Sequence, residues 1–225
     1  MHYHQGKPDA VWASPPELSV QVTISGGELV FSLHAKVKSK YRQSILNLRN
    51  ALSSSEVSNL SKEIVKNVNA EFHIDNVGIL GSYFSVNNEV DLTAINKKRF
   101  NENRITSYPR IGPNHSMNLI APKSFEQLIK NKYDIYEPSD GDVINSMDHE
   151  IIIIPTVGVD KNGYRLGYGG GYYDRYLESI RKNSYRPLLV GLIYDFQFLD
   201  DSINEIHDTR LDIVFSETQS KNFQS

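Results

Sequence analysis

Ile151-Ile152-Ile153-Ile154 is the stretch that most restricts what this chain can become. Four consecutive β-branched apolar residues, closed by Pro155, leave no wet face for an amphipathic helix or a half-exposed strand. Such a run suits a strand covered on both sides, the condition of a parallel sheet held between two layers of helices. Similar strand-like runs are predicted at 77–84, around 104–108, and at 117–121, 151–155, 188–194 and 211–215. Helical patterns lie between several of them, at about 92–101, 123–131 and 171–182. The alternation predicts an α/β fold, a three-layer α/β/α sandwich on a mainly parallel sheet.

Two helices are predicted ahead of that alternation. From about Lys36, the residues Val37, Tyr41, Ile45, Leu48 and Leu52 recur at helical spacing, while Lys38, Arg42 and Arg49 form a basic stripe on another face. Ser53 followed by Glu56 is a capping box, opening a second helix with Val57, Leu60, Ile64, Val65 and Val68 inward. Residues 1–34 read as an N-terminal appendage to a main domain over 35–225. In that appendage Val20, Val22 and Ile24, then Gly26-Gly27, then Leu29, Phe31 and Leu33, predict a β-hairpin. His2 and His4 have the spacing of a metal pair, but a chain terminus gives them no partner, and no role is assigned to them.

Composition excludes several classes. The chain has no cysteine, which rules out disulfides, thiolate metal sites and thiol nucleophiles. No apolar run reaches membrane-span length, and prolines and acids interrupt the first thirty residues where a signal peptide would need an apolar core. A cytoplasmic location is therefore expected. The net charge of −3 is scattered, so no nucleic-acid partner is expected, because such binding draws on a basic excess. Any anion must be met by a local cluster.

The strongest local signal is Arg165-Leu166-Gly167-Tyr168-Gly169-Gly170-Gly171-Tyr172-Tyr173-Asp174-Arg175-Tyr176-Leu177, beyond an Asp160-Lys161-Asn162-Gly163 turn. Glycines let the backbone approach a ligand with its N–H groups turned inward, and the helix N-terminus that follows adds positive potential, so phosphate is the natural guest. It is not a Walker A loop, which needs Lys and Ser or Thr after the last glycine where this chain has Tyr172. Nor is it the dinucleotide fingerprint, which needs a small residue at the Tyr172 position and should follow its strand at once.

The whole string closely resembles the hallmark of the 5-formyltetrahydrofolate cyclo-ligase family, and other matches follow in the family's order. Ile154-Pro155-Thr156-Val157-Gly158-Val159-Asp160 and Asn162-Gly163 look like its approach to the glycine loop. Lys38 and Arg42, followed by Leu46, Arg49 and Leu52, are similar to its opening helix. Tyr83-Phe84 and Glu89-Val90-Asp91 resemble its substrate segment, although Leu92 stands where the family usually has threonine. Tyr108-Pro109-Arg110, Met117, Glu137-Pro138, Phe196-Gln197, His207-Asp208, Leu211-Asp212 and Glu217 complete the order.

The resemblance implies a sheet of the sugar-phosphate isomerase and CoA-transferase type. It also implies an ATP- and magnesium-dependent cyclisation of 5-formyltetrahydrofolate to 5,10-methenyltetrahydrofolate through an N5-iminium phosphate. Carried onto this chain, ATP is bound by Lys38, Arg42 and the run Arg165, Leu166, Gly167, Tyr168, Gly169, Gly170, Gly171, Tyr172 and Tyr173. Phe84, Glu89 and Tyr168 through Tyr172 face the folate, Asp174 and Asp212 hold magnesium, and Lys38, Arg165 and Tyr172 are catalytic. The expected partners are those two small molecules, on a monomer or small homo-oligomer without membrane contact. The alternatives are a non-catalytic nucleotide- or RNA-binding relative, or an ATP-dependent enzyme acting on another pterin.

Overall fold

The computed structural model describes residues 27–181, 183, 185–205 and 208–224. Two helices, α1 (Gly27–Ala51) and α2 (Ser54–Phe72), lead into β1 (Leu80–Gly81), α3 (Thr93–Asn101), β2 (Thr106–Ile111) and β3 (Met117–Ala121). Short strands β4 (Leu128–Lys130), β5 (Tyr136–Pro138) and β6 (Asp142–Ile144) precede β7 (Ile151–Ile154). The small pair β8 (Gly158–Val159) and β9 (Arg165–Leu166) leads to α4 (Tyr172–Arg181). Strands β10 (Leu188–Leu192), β11 (Ile213–Phe215) and β12 (Ser220–Asn222) finish the chain.

The main sheet runs in the order β12-β11-β10-β7-β1-β2-β3-β6. Its centre, β11 through β2, is parallel, and antiparallel neighbours flank it on both sides. The isoleucine run explains the layering. Ile151 and Ile153 pack with Tyr41, Ile45, Ile64 and Val68 of α1 and α2, while Ile152 and Ile154 pack with Leu177 and Ile180 of α4. Alternate side chains point to opposite faces of a strand, so an uninterrupted apolar run has to be roofed twice.

The capping box forms as the spacing predicts: Ser53 Oγ accepts from Glu56 N, and Ser53 N donates to Glu56 Oε2 at 2.8 Å. At the entry to α3, the N-cap residue Leu92 makes no side-chain cap of its own. Leu92 sinks into the core (1% exposed), and Asp91 Oδ1 accepts the Thr93 N–H at 2.9 Å, so the helix start is capped one residue earlier. Within α3, Arg99 is fully buried and donates to the carbonyls of Ile74, Asp75, Val77, Gly78 and Ile105, pinning the α2–β1 connection.

Three expectations are corrected. The second arm of the predicted hairpin, Leu29 to Leu33, lies in α1, which starts at Gly27 and crosses residue 34 without a break; the first arm falls outside the described residues. The predicted helix at 123–131 is a single turn at Phe125–Gln127 followed by β4, which pairs antiparallel with β5. Phe125 is drawn into an aromatic cluster with Phe84, Phe100 and Tyr108, and that packing outweighs a weak helical pattern. The strand expected over 77–84 pairs only at Leu80–Gly81. Among the described residues, no helix is long and apolar enough to cross a membrane.

Candidate active site

Strand order decides where the site lies. From β1 the sheet grows one way through β2 and the other way through β7, so the chain leaves β1 and β7 on either side of a topological switch. Segments leaving the carboxyl ends of such strands form a natural crevice. The β1 exit carries Tyr83 to Glu89, and the β7 exit leads from Pro155 to the glycine-rich loop. Together they line a cleft of about 470 Å³.

One side of this cleft is apolar and aromatic. Tyr83, Phe84, Pro109, Ile111 and Met117 line it, and the Phe84 ring is stacked on Tyr108 at 4.4 Å. Glu89 is the buried acid among them, 5% exposed. Its Oε2 accepts from Val86 N at 3.0 Å and its Oε1 from the Tyr168 hydroxyl at 2.9 Å. Burial pushes the Glu89 carboxyl above its ordinary value, and the nearby Arg49 pulls it back.

The other side is the glycine-rich loop. Gly169 and Gly171 adopt φ of +95° and +70°, a backbone that side chains resist, and they turn the chain into the first, unpaired N–H groups of α4. Arg165 is buried beneath this turn, donating Nη2 to Asp174 Oδ1 at 2.7 Å and Nη1 to Pro155 O at 3.2 Å, with its guanidinium over the Tyr173 ring. Arg42 approaches from α1 and donates Nε to Gly167 O at 2.8 Å. Burial, then the neighbouring Arg165, pushes the Arg42 guanidinium below its usual value. Two cations held close together favour an anion between or beside them. Arg165 Nε and Tyr173 Oη are buried with no hydrogen-bond partner among the described residues, as befits a site with room for a polar guest.

A second cavity of about 430 Å³ shares Gly169, Gly170, Gly171 and Asp174 and adds His115, Arg175 and Glu178. His115 Nδ1 meets Gly170 O at 2.9 Å, and its ring lies 5.2 Å from that of Tyr172. Tyr133 reaches Tyr172 from the β4–β5 hairpin, hydroxyl to hydroxyl at 3.4 Å. Neither His115 nor Tyr133 is expected from the sequence: His115 sits in the turn between β2 and β3, and Tyr133 in the β4–β5 hairpin, whose first strand lies in the stretch predicted as helix.

The expected residues therefore divide. Phe84, Glu89, Arg165 and Gly167 through Asp174 all line the main cleft, and Arg42 touches the loop. Leu166, in β9, is a core residue, 2% exposed. Lys38 does not line either cavity; it is held by Asp208 at 2.6 Å and Glu205 at 3.0 Å. His207 falls outside the described residues. Asp212 lines neither cavity. It precedes β11, beside Leu189 at the amino ends of the strands, and both its oxygens accept from Arg186 at 2.6 Å. The buried carboxylate sought a cation, and a guanidinium fork supplies it.

Among the described residues, no group of three or more His, Cys, Asp or Glu side chains could hold a metal ion. Magnesium needs less than that when phosphate oxygens and water complete its shell. Asp174 meets the need: it borders both cavities, and its bonds to Arg165 and Thr209 both end on Oδ1. Asp212, saturated by Arg186, does not.

Comparison with known proteins gives a consistent result. A sequence profile described as the 5-formyltetrahydrofolate cyclo-ligase family matches residues 34–217. The chain is 29% identical over 195 residues to a mouse 5-formyltetrahydrofolate cyclo-ligase, covering 82% of this chain and 92% of that one. It is 30% identical over 180 residues to the Mycoplasma genitalium protein of the same name, covering 79% and 96%. A solved Aquifex aeolicus 5,10-methenyltetrahydrofolate synthetase superimposes with a TM-score of 0.72 at 28% identity, covering 84% of this chain and 94% of that one. A Mycoplasma pneumoniae synthetase gives 0.64 at 25% identity, covering 80% and 98%.

Proposed function

Because this chain belongs to the 5-formyltetrahydrofolate cyclo-ligase family, a family of ligases, we propose that its cleft closes 5-formyltetrahydrofolate to 5,10-methenyltetrahydrofolate at the expense of ATP. The observation that carries the reading is the division of one cleft into an aromatic wall with a buried acceptor, Glu89, and a glycine-rich wall with a buried cation, Arg165, and the half-buried Arg42 bonded to the loop behind it. A pterin suits the first wall and a triphosphate the second.

The chemistry needs both at once. A formamide oxygen is a poor leaving group, and phosphorylation cures that. The formyl oxygen attacks the γ-phosphorus, ADP departs, and an N5-iminium phosphate remains. N10 then attacks the iminium carbon and loses its proton, and phosphate leaves with the former formyl oxygen. Each step moves negative charge over phosphate oxygens, so alignment and fixed positive charge are what the protein must supply.

Glu89 accepts the N–H edge of the pterin, and Phe84, backed by Tyr108, provides a flat apolar surface for its ring. Arg165 and Arg42 hold the phosphates against the loop N–H groups, with Tyr172 in the main cleft, its ring 5.2 Å from that of His115. Lys38, one helical turn from Arg42, joins this set only by exchanging Asp208 and Glu205 for phosphate oxygens. Asp174 is the side chain that would hold magnesium, which supplies charge neutralisation on the transferred group when bound.

The test is direct: purified protein, 5-formyltetrahydrofolate and ATP, with and without magnesium, followed by the near-ultraviolet absorbance of the methenyl product. Growth of that band only with ATP and magnesium together is the expected result. A flat trace from folded protein that binds ATP would reject the substrate assignment.

A further inference from the structure

Arg49 is a charged side chain that the proposed chemistry leaves unused. It is 0% exposed, and its guanidinium joins three separate parts of the chain. Nε and Nη2 donate to Asn87 O at 3.0 and 2.7 Å, and Nη2 also to Val86 O at 3.3 Å, in the turn that leaves β1. Nη1 donates to Thr156 O at 3.5 Å, just beyond β7. Nη2 further donates to the Tyr168 hydroxyl at 2.5 Å, in the glycine-rich loop.

A buried arginine that braces backbone carbonyls is an ordinary structural device, and Arg99 is one. Arg49 differs in where its bonds lead. The turn it holds has Asn87 and Asn88 in the left-handed region, φ 49° and 56°, and ends at Glu89, whose Oε1 lies 4.0 Å from Arg49 Nη2. The Tyr168 hydroxyl has a single proton. Since it accepts from Arg49, that proton goes to Glu89 Oε1, at 2.9 Å. The direction of the relay is thereby set: Arg49 to Tyr168 to Glu89. Both side chains that Arg49 steers line the cleft, and they arrive from opposite sides of the topological switch.

We propose that Arg49 is a positioning residue for the folate half of the site, aiming Glu89 into the cleft both directly and through the Tyr168 hydroxyl. The inference rests on the folate reading given above. An acceptor for a pterin edge must be fixed in angle as well as place, and a side chain locked by its neighbours does this better than one free to rotate. The planar guanidinium fork is the part that matters. A lysine at 49 would keep the charge but could not span Asn87 O and the Tyr168 hydroxyl together.

The groups facing Glu89 are Arg49 from α1, Tyr83 after β1, Tyr168 and Tyr173 from the loop and the start of α4, and Tyr194 after β10. Arg49 is the cation in that set, so a neutral residue in its place removes the largest counterweight to the burial of Glu89 and leaves only the hydrogen bonds from Val86 N and the Tyr168 hydroxyl. Folate binding then weakens as pH falls, because the carboxylate that accepts the pterin N–H groups is lost first.

The experiment measures KM for 5-formyltetrahydrofolate and for ATP in full-length Arg49→Lys, Arg49→Met and Tyr168→Phe proteins. Both Arg49 variants are expected to raise the folate KM on the order of tenfold or more, with ATP KM within about twofold. Tyr168→Phe should move the folate KM in the same direction by less. Arg49→Met should lose folate affinity more steeply than the wild type as pH falls, and Arg49→Lys should not. A merely structural arginine would lower the melting temperature and move both KM values together without the pH signature, which would overturn the proposal. If the Arg49 variants do not fold, Tyr168→Phe decides: a selective folate effect supports the relay, and an unchanged folate KM rejects it. A wild type that forms no methenyl product would instead refute the folate reading, and this inference with it.

Discussion

A single methyl group added at Gly167 tests the loop chemistry with little disturbance of the fold. The Gly167 backbone lies outside the region that only glycine favours, so alanine meets no strain there. Its Cβ, however, would lie 2.4 Å from Arg165 Nη1 and 3.0 Å from Cζ, where ordinary contact begins at 3.4 Å. The guanidinium must withdraw by roughly 1 Å, and the 2.7 Å bond from Nη2 to Asp174 then falls outside hydrogen-bond range. A hydrogen bond between charged groups is worth about 1.5–3 kcal/mol, and Asp174 is 33% exposed at its side chain, which favours the lower end. The displaced guanidinium also leaves its place beside the phosphates. Gly167→Ala is therefore expected to lower kcat/KM for ATP by roughly tenfold, and by no more than about a hundredfold. The melting temperature should shift by only a few degrees, because loss of the pair is partly offset by about 0.4–1 kcal/mol from reduced freedom of the unfolded chain. Steady-state kinetics with varied ATP, beside a thermal melt, measures both. Activity within twofold of wild type would show that Arg165 can give way at no cost, and the argument for its fixed role would fall.

Asp174→Asn should abolish turnover while the protein melts near the wild-type temperature, and retained activity would remove Asp174 from the magnesium site. Asp212→Asn should do the reverse. It breaks the Arg186 fork at the cost of about 2–3 kcal/mol in urea unfolding, less than a fully buried pair because Arg186 stays 29% exposed, yet leaves kcat/KM per folded molecule unchanged. His149 predicts an acid-side loss of stability. Its Nδ1 faces the carbonyls of Asn145 and Ser146 and so carries the proton, and its buried Nε2 accepts from Ser107 at 2.7 Å, an arrangement of the neutral ring. Burial pushes its titration below the ordinary 6.5, so the unfolded chain takes up the proton first, and stability falls as pH drops below that value. The slope reaches at most about 1.4 kcal/mol per pH unit. Chemical unfolding across that range should show it, and His149→Gln should flatten it.

The glycine-rich loop borders two cavities. Gly169, Gly170 and Gly171 have cavities on both sides, so their backbone is a partition between the chambers. Tyr168 and Tyr172 flank the partition and project differently, the first to Glu89 and the second towards His115 and Tyr133. The tyrosines that the sequence grouped in one motif thus belong to different halves of the site.

What the sequence determined by itself is what depends on near neighbours. The Ser53–Glu56 cap, the inward face of α2, the doubly covered isoleucine strand and the glycine-rich approach to α4 each follow from spacing or backbone freedom within a few residues. The family resemblance added Glu89, Arg165 and Asp174, and these meet around one cleft. What tertiary structure decided is strand order and the partner of each charge. The 123–131 stretch became a turn and a strand because Phe125 found aromatic neighbours and β4 found β5. Lys38 turned to Asp208, 170 residues away, and Asp212 to Arg186. Arg49, read as one more member of a basic stripe, was carried inside to the hinge between Glu89 and Tyr168. Helical spacing says which residues share a face, but not what that face will meet. A buried charge takes the nearest partner able to replace its water, and that partner is chosen only when distant segments pack together.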